Sequence, residues 1–377
     1  MRILYVNDAL AIWGGMERIL VEKVNLLAEM YGYDMHVVTV NQGSHPLPYT
    51  LSSKVHFQDL DISFHHIYHY KGLKRWLTLR EKHALFQHKF KAYIDAVCPD
   101  VIVSMRTELT SDILKSKGDI PLVFESHASR WAQRFNGYSM FEVLMSDLSN
   151  RRVRHADMVV ALTQGDAADW RLLNPRVSVI PNVVHLNESG VYSSVSNKSV
   201  IFVGRYSHQK DIDSLIKIWQ IVNSRHPDWT LNIYGGFGVE QQRLVSTINQ
   251  LSINIVTHAP TSEIFSKYLE SSIMVLTSRF EPFGLVLPEA MSYGLPVVAF
   301  DCPYGPAEII TDGVDGFLVG GRDVQMFADK VCLLIENDGL RRTMGQRGIL
   351  SCQRYAAERV MPLWKDLFEQ LAGKRKV

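Results

Sequence analysis

Cysteine is scarce in this 377-residue chain: Cys98, Cys302, Cys332 and Cys352 lie far apart, and no two form a Cys-x-x-Cys pair. That spacing argues against a disulfide framework or a cysteine-based zinc site and suits reduced, buried thiols. Charge of one sign is missing as well, since 40 Lys and Arg stand against 39 Asp and Glu for a formal net charge of +1. Such a balance gives no reason to expect a nucleic-acid partner, and no nucleic-acid-binding motif occurs. Long apolar runs are absent too: nothing approaches the roughly 18 residues of a membrane span. Met1-Arg2-Ile3-Leu4-Tyr5-Val6 enters a strand directly, without the features of a signal peptide. These absences together predict a cytoplasmic protein.

Hydrophobic residues make up 46% of the chain and charged residues 21%, enough to build sizeable soluble cores. The length suggests two domains of about 150–200 residues each. Apolar runs at Arg2–Val6, Met35–Val40, Val101–Ser104, Leu122–Glu125, Met158–Leu162 and Val177–Ile180 alternate with helical patterns. The pattern restarts at Ser199–Val203, Thr230–Tyr234, Asn254–Thr257, Ile273–Leu276, Val297–Ala299 and Gly316–Val319. Strands alternating with helices imply βαβ units and parallel sheets, hence an α/β protein. The boundaries expected are a first domain over 1–185, a polar connection over 186–198, a second domain over 199–355 and an amphipathic tail over 356–377.

The densest chemistry follows the apolar run Ile273–Leu276. Ser278-Arg279-Phe280-Glu281-Pro282-Phe283-Gly284-Leu285-Val286-Leu287-Pro288-Glu289-Ala290-Met291 sets two carboxylates eight positions apart around a Phe-Gly turn. Glu281 falls in the loop at the carboxyl end of a strand. Glu289 falls in the first turns of a helix, where Pro288 is tolerated because early helical amides lack internal partners. Ligands of open α/β sheets bind beyond the carboxyl ends of strands. A turn carboxylate, free helix-start amides and a second carboxylate suit a ligand that is both hydroxyl-rich and phosphorylated.

This run resembles the Glu-x7-Glu signature of retaining GT-B glycosyltransferases, in particular glycosyltransferase family 4. Gly294-Leu295-Pro296-Val297-Val298-Ala299 and Asp312-Gly313-Val314-Asp315-Gly316-Phe317-Leu318-Val319 extend the match. The resemblance implies two Rossmann-like domains facing each other across a cleft, with the C-terminal tail packing back on the first. It also implies a first domain that binds acceptor and a second that binds a nucleotide-diphosphate sugar, with UDP the expected nucleotide. By the same resemblance Glu281 holds the transferred sugar, Glu289 anchors the ribose, and the backbone of Phe283, Gly284, Leu285 and Val286 orients sugar and diphosphate. Cys302-Pro303-Tyr304-Gly305-Pro306 resembles versions found in enzymes of bacterial polysaccharide and lipid-linked glycan synthesis.

Three further groups join the site. Arg205 and Lys210 follow Phe202-Val203-Gly204 where a helix begins, and the resemblance makes them the donor diphosphate's cations. Fixed cations stabilise the charge that grows on a departing diphosphate. Gly14 and Gly15, in Trp13-Gly14-Gly15-Met16-Glu17, resemble the family's Gly-Gly-x-Glu loop against the donor phosphates. His127, after Phe124-Glu125-Ser126, stands where the family often has a histidine near the reacting end of the sugar. Tyr234-Gly235-Gly236-Phe237-Gly238 follows a strand and suits either a tight turn or a path along the nucleotide base, and by the resemblance His258 and Ile264 stand where the family holds that base.

The expected reaction is retaining transfer of a hexose or N-acetylhexosamine to a glycan or polyprenyl-linked acceptor. No Asp-x-Asp pair falls at the end of a strand in this reading, so no essential metal and no other cofactor are expected. The segment His65–Tyr93 carries Lys71, Lys74, Arg75, Arg80, Lys82, Lys89 and Lys91 against the single acid Glu81, with aromatics interleaved. It suits either peripheral contact with the inner membrane face or a plain solvated surface. A nucleotide-sugar epimerase and a non-catalytic regulator share the expected architecture and stand as alternatives; the first would turn over donor without acceptor.

Overall fold

A computed structural model describes residues 1–131, 134, 139–236 and 238–375. It divides into two compact units. The first comprises Met1–Trp131, Ser139–Val183 and the tail from Ala357; the second spans Val184–Ala356.

The first unit holds a seven-stranded parallel sheet of β1 (Arg2–Val6), β2 (Asp34–Thr39), β3 (Val55–Asp59), β4 (Val101–Ser104), β5 (Leu122–Glu125), β6 (Met158–Ala161) and β7 (Val177–Val179). Their spatial order is β3-β2-β1-β4-β5-β6-β7. Helices cover both faces, which is why β4 and β5 are buried at every residue and read as unbroken apolar runs. On one face the helix Gly15–Tyr31 and the C-terminal helix Ala357–Arg375 pack against Ile3, Tyr5, Met35 and Val37. Val360, Met361, Trp364, Leu367, Phe368 and Leu371 form the tail's buried stripe, at spacings of one face of a helix. The other face carries the helices Gly72–Val97 and Thr107–Ser116 through Phe86, Phe90, Ile94, Leu109 and Ile113.

The second unit repeats the plan with β8 (Ser199–Val203), β9 (Thr230–Tyr234), β10 (Ile255–His258), β11 (Ile273–Leu276), β12 (Val297–Phe300) and β13 (Gly316–Val319), ordered β10-β9-β8-β11-β12-β13. The helix Ile212–Arg225 buries Ile212, Leu215, Ile216, Trp219 and Val222 beside Phe327, Val331 and Leu334 of the helix Val324–Glu336.

In each sheet the strand order reverses at one place: between β1 and β4, and between β8 and β11. The crevices outside the carboxyl ends of these pairs are where open α/β sheets take ligands. The loops after β1, β8 and β11 are those carrying Gly14–Gly15, Arg205–Lys210 and Glu281.

Two expectations are corrected. Strand β3 has no counterpart in the sequence reading. It pairs on only one side, and its residues Val55 to Asp59 alternate buried and more exposed, so it lacks an apolar run. The stretch 186–198, expected as the polar connection between the domains, groups with the second unit. The Asn187 amide donates to Ser292 Oγ at 3.2 Å, Ser193 to the Tyr293 carbonyl at 2.9 Å, and Arg341 Nε to the Val195 carbonyl at 2.7 Å. Its polar residues satisfy backbone partners, which composition alone does not reveal.

Candidate functional site

In the second unit, the loop after β11 is laced to the loop after β8. Thr277 Oγ1 donates to the Lys210 carbonyl at 2.9 Å, the Arg279 amide to the Gln209 carbonyl at 2.7 Å, and Gln209 Nε2 to the Phe280 carbonyl at 3.1 Å. Asp211, buried and in a left-handed conformation, accepts from Arg279 Nη2 at 2.9 Å and pairs with Arg322. Arg322 Nη1 also reaches the Ser278 carbonyl at 2.9 Å. Asp211, Ser278, Arg279 and Arg322 were not expected in the site. Asp211, Arg279 and Arg322 act on loops distant in sequence, so no local spacing marks them.

This lacing fixes Glu281. Its amide donates to the Pro303 carbonyl at 3.2 Å, and its own carbonyl accepts from the Gly305 amide at 2.8 Å. Tyr304, between those two contacts, holds a φ of 83°, a strained conformation for a residue with a side chain. The Glu281 side chain is 6% exposed; Oε1 accepts from Ser278 Oγ at 2.7 Å and is ion-paired with Lys210 Nζ. Lys210 is thus already paired, whereas the sequence reading treated it and Arg205 as equivalent cations. Arg205 is exposed and, among the described residues, has no polar partner.

Gly284 makes the turn at φ 94°, where a side chain would be strained. Phe283 is buried beneath it, edge-on to Tyr355 with ring centroids 5.2 Å apart. Among the described residues, the amides of Gly284, Leu285 and Val286 have no acceptor in the chain, whereas the next, Leu287, bonds the Gly284 carbonyl at 3.0 Å. The helix Val286–Ser292 buries Glu289, whose Oε2 lies 3.4 Å from the Tyr268 hydroxyl. Cys302 sits close by, but burial pushes its thiol up to about 12, so it is no nucleophile.

On the flank of this sheet, Tyr234 and His258 are register partners and stack with centroids 4.3 Å apart. His258 Nε2 lies 2.9 Å from Asn232 Oδ1, and Ile264 opens the helix Ile264–Leu269. Phe237 lies outside the described residues.

In the first unit, Gly14 precedes the helix Gly15–Tyr31, and its carbonyl accepts from the Arg18 amide at 3.1 Å and the Tyr49 hydroxyl at 3.3 Å. A Cβ on Gly14 would stand 2.2 Å from Glu17 Oε2, so the Gly-Gly pair leaves room for that acid to fold over the loop. Trp13 projects beside it, 75% exposed and edge-on to Tyr49.

His127 follows β5 and has a partner the sequence reading missed: its Nε2 lies 2.8 Å from Glu125 Oε1. Glu125 is fully buried and ion-paired with Lys23, itself buried beneath the ring of Trp364 at 4.3 Å. Burial works against the Glu125 charge, yet Lys23 and then His127 outweigh it and bring its carboxyl down to about 2. Burial likewise pulls the Lys23 ammonium below its ordinary value despite Glu125. The one available signal was a lysine inside the apolar stripe of a helix, Val21-Glu22-Lys23-Val24.

The expectation that no Asp-x-Asp pair ends a strand does not hold, because β3 ends at Asp59 of Asp59-Leu60-Asp61. Asp59 is occupied structurally: Oδ1 accepts from Thr39 Oγ1 at 2.9 Å and Oδ2 from the Gly43 amide at 3.1 Å. Asp61 accepts from Ser63 Oγ at 3.0 Å.

Two family models match the chain, one on each unit: Glycosyltransferase Family 4 over residues 13–188 and Glycosyl transferases group 1 over residues 192–350. An uncharacterized glycosyltransferase of Haemophilus influenzae is 26% identical over 360 residues, which cover 94% of this chain and 96% of that protein. The amylovoran biosynthesis glycosyltransferase AmsD of Erwinia amylovora is 33% identical over 226 residues, covering 56% of this chain and 62% of its own. Among solved structures, S. aureus TarM in complex with Fondaparinux, alpha-GlcNAc-glycerol and UDP superposes with a TM-score of 0.79 at 15% identity, covering 97% of this chain and 99% of that one.

Proposed function

The chain belongs to the GT-B glycosyltransferases of group 1 and family 4, and from that premise we propose that it transfers a hexose or N-acetylhexosamine from a UDP-sugar, with retained configuration, in cell-surface polysaccharide synthesis. The observation that carries this reading is that the loop after β8 offers the unpaired Arg205 and the loop after β11 the unbonded amides of Gly284, Leu285 and Val286, the two loops being tied together at the β8–β11 crevice. Unpaired backbone amides and a free guanidinium offer directed donors to a diphosphate. UDP bound to TarM and the biosynthetic role in AmsD's name support the donor and the process.

On this reading Arg205 and the amides hold the diphosphate and absorb the charge that grows as the glycosidic bond breaks. Glu289 takes the ribose hydroxyls. Glu281, held rigid by Ser278 and Lys210, accepts hydrogen bonds from the transferred sugar. The leaving phosphate takes the acceptor's proton as attack comes from the same face. Within the first unit, Glu125 sets the orientation of the His127 ring. Arg205 supplies positive charge that a metal would otherwise bring, while Lys210 holds Glu281 in place.

Among the described residues no helix is long and apolar enough to cross a membrane. The helix Gly72–Val97 nevertheless exposes Leu73, Trp76 and Leu77, with Arg80 stacked on Trp76 at 4.8 Å. Lys82 and Lys89 are tied to the Ile62 and Leu60 carbonyls, so Lys74, Arg75 and Arg80 remain for an anionic membrane surface holding a polyprenyl-linked acceptor. Co-sedimentation with anionic vesicles, absent with neutral ones, is the expected result; equal partition would remove this contact.

Transfer assays with UDP-, GDP- and ADP-sugars in EDTA test the central reading. Product from a UDP-sugar, with the donor's α configuration retained at the anomeric proton by NMR, is expected. An inverted product, or activity abolished by EDTA, would contradict it.

A further inference from the structure

At the opposite, amino end of the first sheet, three potential metal ligands converge. Asp34 opens β2 and His36 stands two residues on, so both side chains point to one face of the sheet. His56 is the register partner of His36 on β3, and Arg2 is that of Asp34 on β1. Asp34 Oδ1 lies 3.2 Å from His36 Nε2 and 3.3 Å from His56 Nε2. Among the described residues no other three His, Cys, Asp or Glu side chains gather in this way.

We propose that Asp34, His36 and His56 form a binding site for a divalent transition metal, with zinc the best-matched ion. Two imidazole nitrogens and one carboxylate oxygen are a zinc donor set that leaves a position for water. Ligands about 2.0–2.1 Å from a tetrahedral ion stand about 3.3–3.4 Å apart, close to the two separations seen here. The outer partners are also in place. Arg2 Nε holds Asp34 Oδ2 at 2.7 Å, leaving Oδ1 as the single ligand oxygen. His36 Nδ1 lies 3.0 Å from the Tyr93 hydroxyl, which fixes Nε2 as the metal-facing nitrogen. His56, 63% exposed on the edge strand, is the ligand free to adjust as the ion enters. The Arg2 charge opposes the cation, so this site is selective for an ion that imidazole binds strongly.

Zinc held here would clip the edge strand β3 to β2, a structural role remote from the loops at the carboxyl ends of the strands. Loss of the metal and loss of transfer are therefore separate observations.

The test is titration of the chelated full chain with zinc by calorimetry, in a Cys98→Ser background that removes the exposed thiol. One equivalent is expected, with a rise in Tm on binding. His56→Ala, at an exposed position where folding is not at risk, should weaken binding at least tenfold. Tyr93→Phe keeps the ring and should weaken it by about 10–100-fold, as outer-shell changes do. No stoichiometric uptake, or unchanged affinity in either variant, overturns the site.

Discussion

Lys210 and Glu281, 71 positions apart in the chain, form a nearly buried ion pair, and Ser278 Oγ holds the same carboxylate oxygen at 2.7 Å. The pair joins the loop after β8 to the loop after β11, so the two ends of the proposed donor site are one mechanical piece. Arg205, on the same loop as Lys210, is exposed and unpaired.

The two cations should therefore fail differently. Lys210→Ala strands the Glu281 charge and is expected to cost about 3–5 kcal/mol of stability; adding Glu281→Ala should recover part of it. Arg205→Ala should leave stability within about 0.5 kcal/mol while lowering turnover roughly a hundred- to thousandfold, as loss of one charge-stabilising group does. Urea denaturation and steady-state rates on the same preparations check both. Equal stability losses in the two single variants would remove the distinction.

Glu289→Gln should weaken UDP binding by roughly 1.5–3 kcal/mol, the worth of a hydrogen bond to a charged acceptor. Isothermal titration measures this directly. Unchanged affinity would take Glu289 off the ribose.

Glu125 gives a pH signature. Its folded carboxyl, at about 2, lies below the unfolded value of 4.5. Its contribution is therefore present above about pH 4.5 and disappears as pH falls toward 2, on the order of 3 kcal/mol in all. Glu125→Gln should be less stable than the native chain at pH 7 and converge with it near pH 2. A constant gap across that range in urea titrations would exclude the linkage.

Much of this molecule was readable from its residues. Twelve of the thirteen strands stand at apolar runs; β3, Val-His-Phe-Gln-Asp, alternates apolar and polar residues and does not. The local placement of Glu281, Gly284 and Glu289 was legible because a strand, a turn and a helix start lie within one short segment. The partners that hold the site were not, since Lys210–Glu281 and Lys23–Glu125 close over 71 and 102 residues. Such pairings follow from strand order, which no local pattern states. Asp59 and Asp61 carry the same lesson in reverse: a spacing associated with metals is used here to clamp a turn.

The central claim is that the second unit grips a nucleotide diphosphate through Arg205. Calorimetric titration of UDP and of uridine into the native chain and into Arg205→Ala tests it most directly. The account predicts that UDP binds the native chain far more tightly than uridine does, and that most of this difference vanishes in the variant while uridine affinity stays unchanged. An undiminished preference for UDP in Arg205→Ala would contradict it.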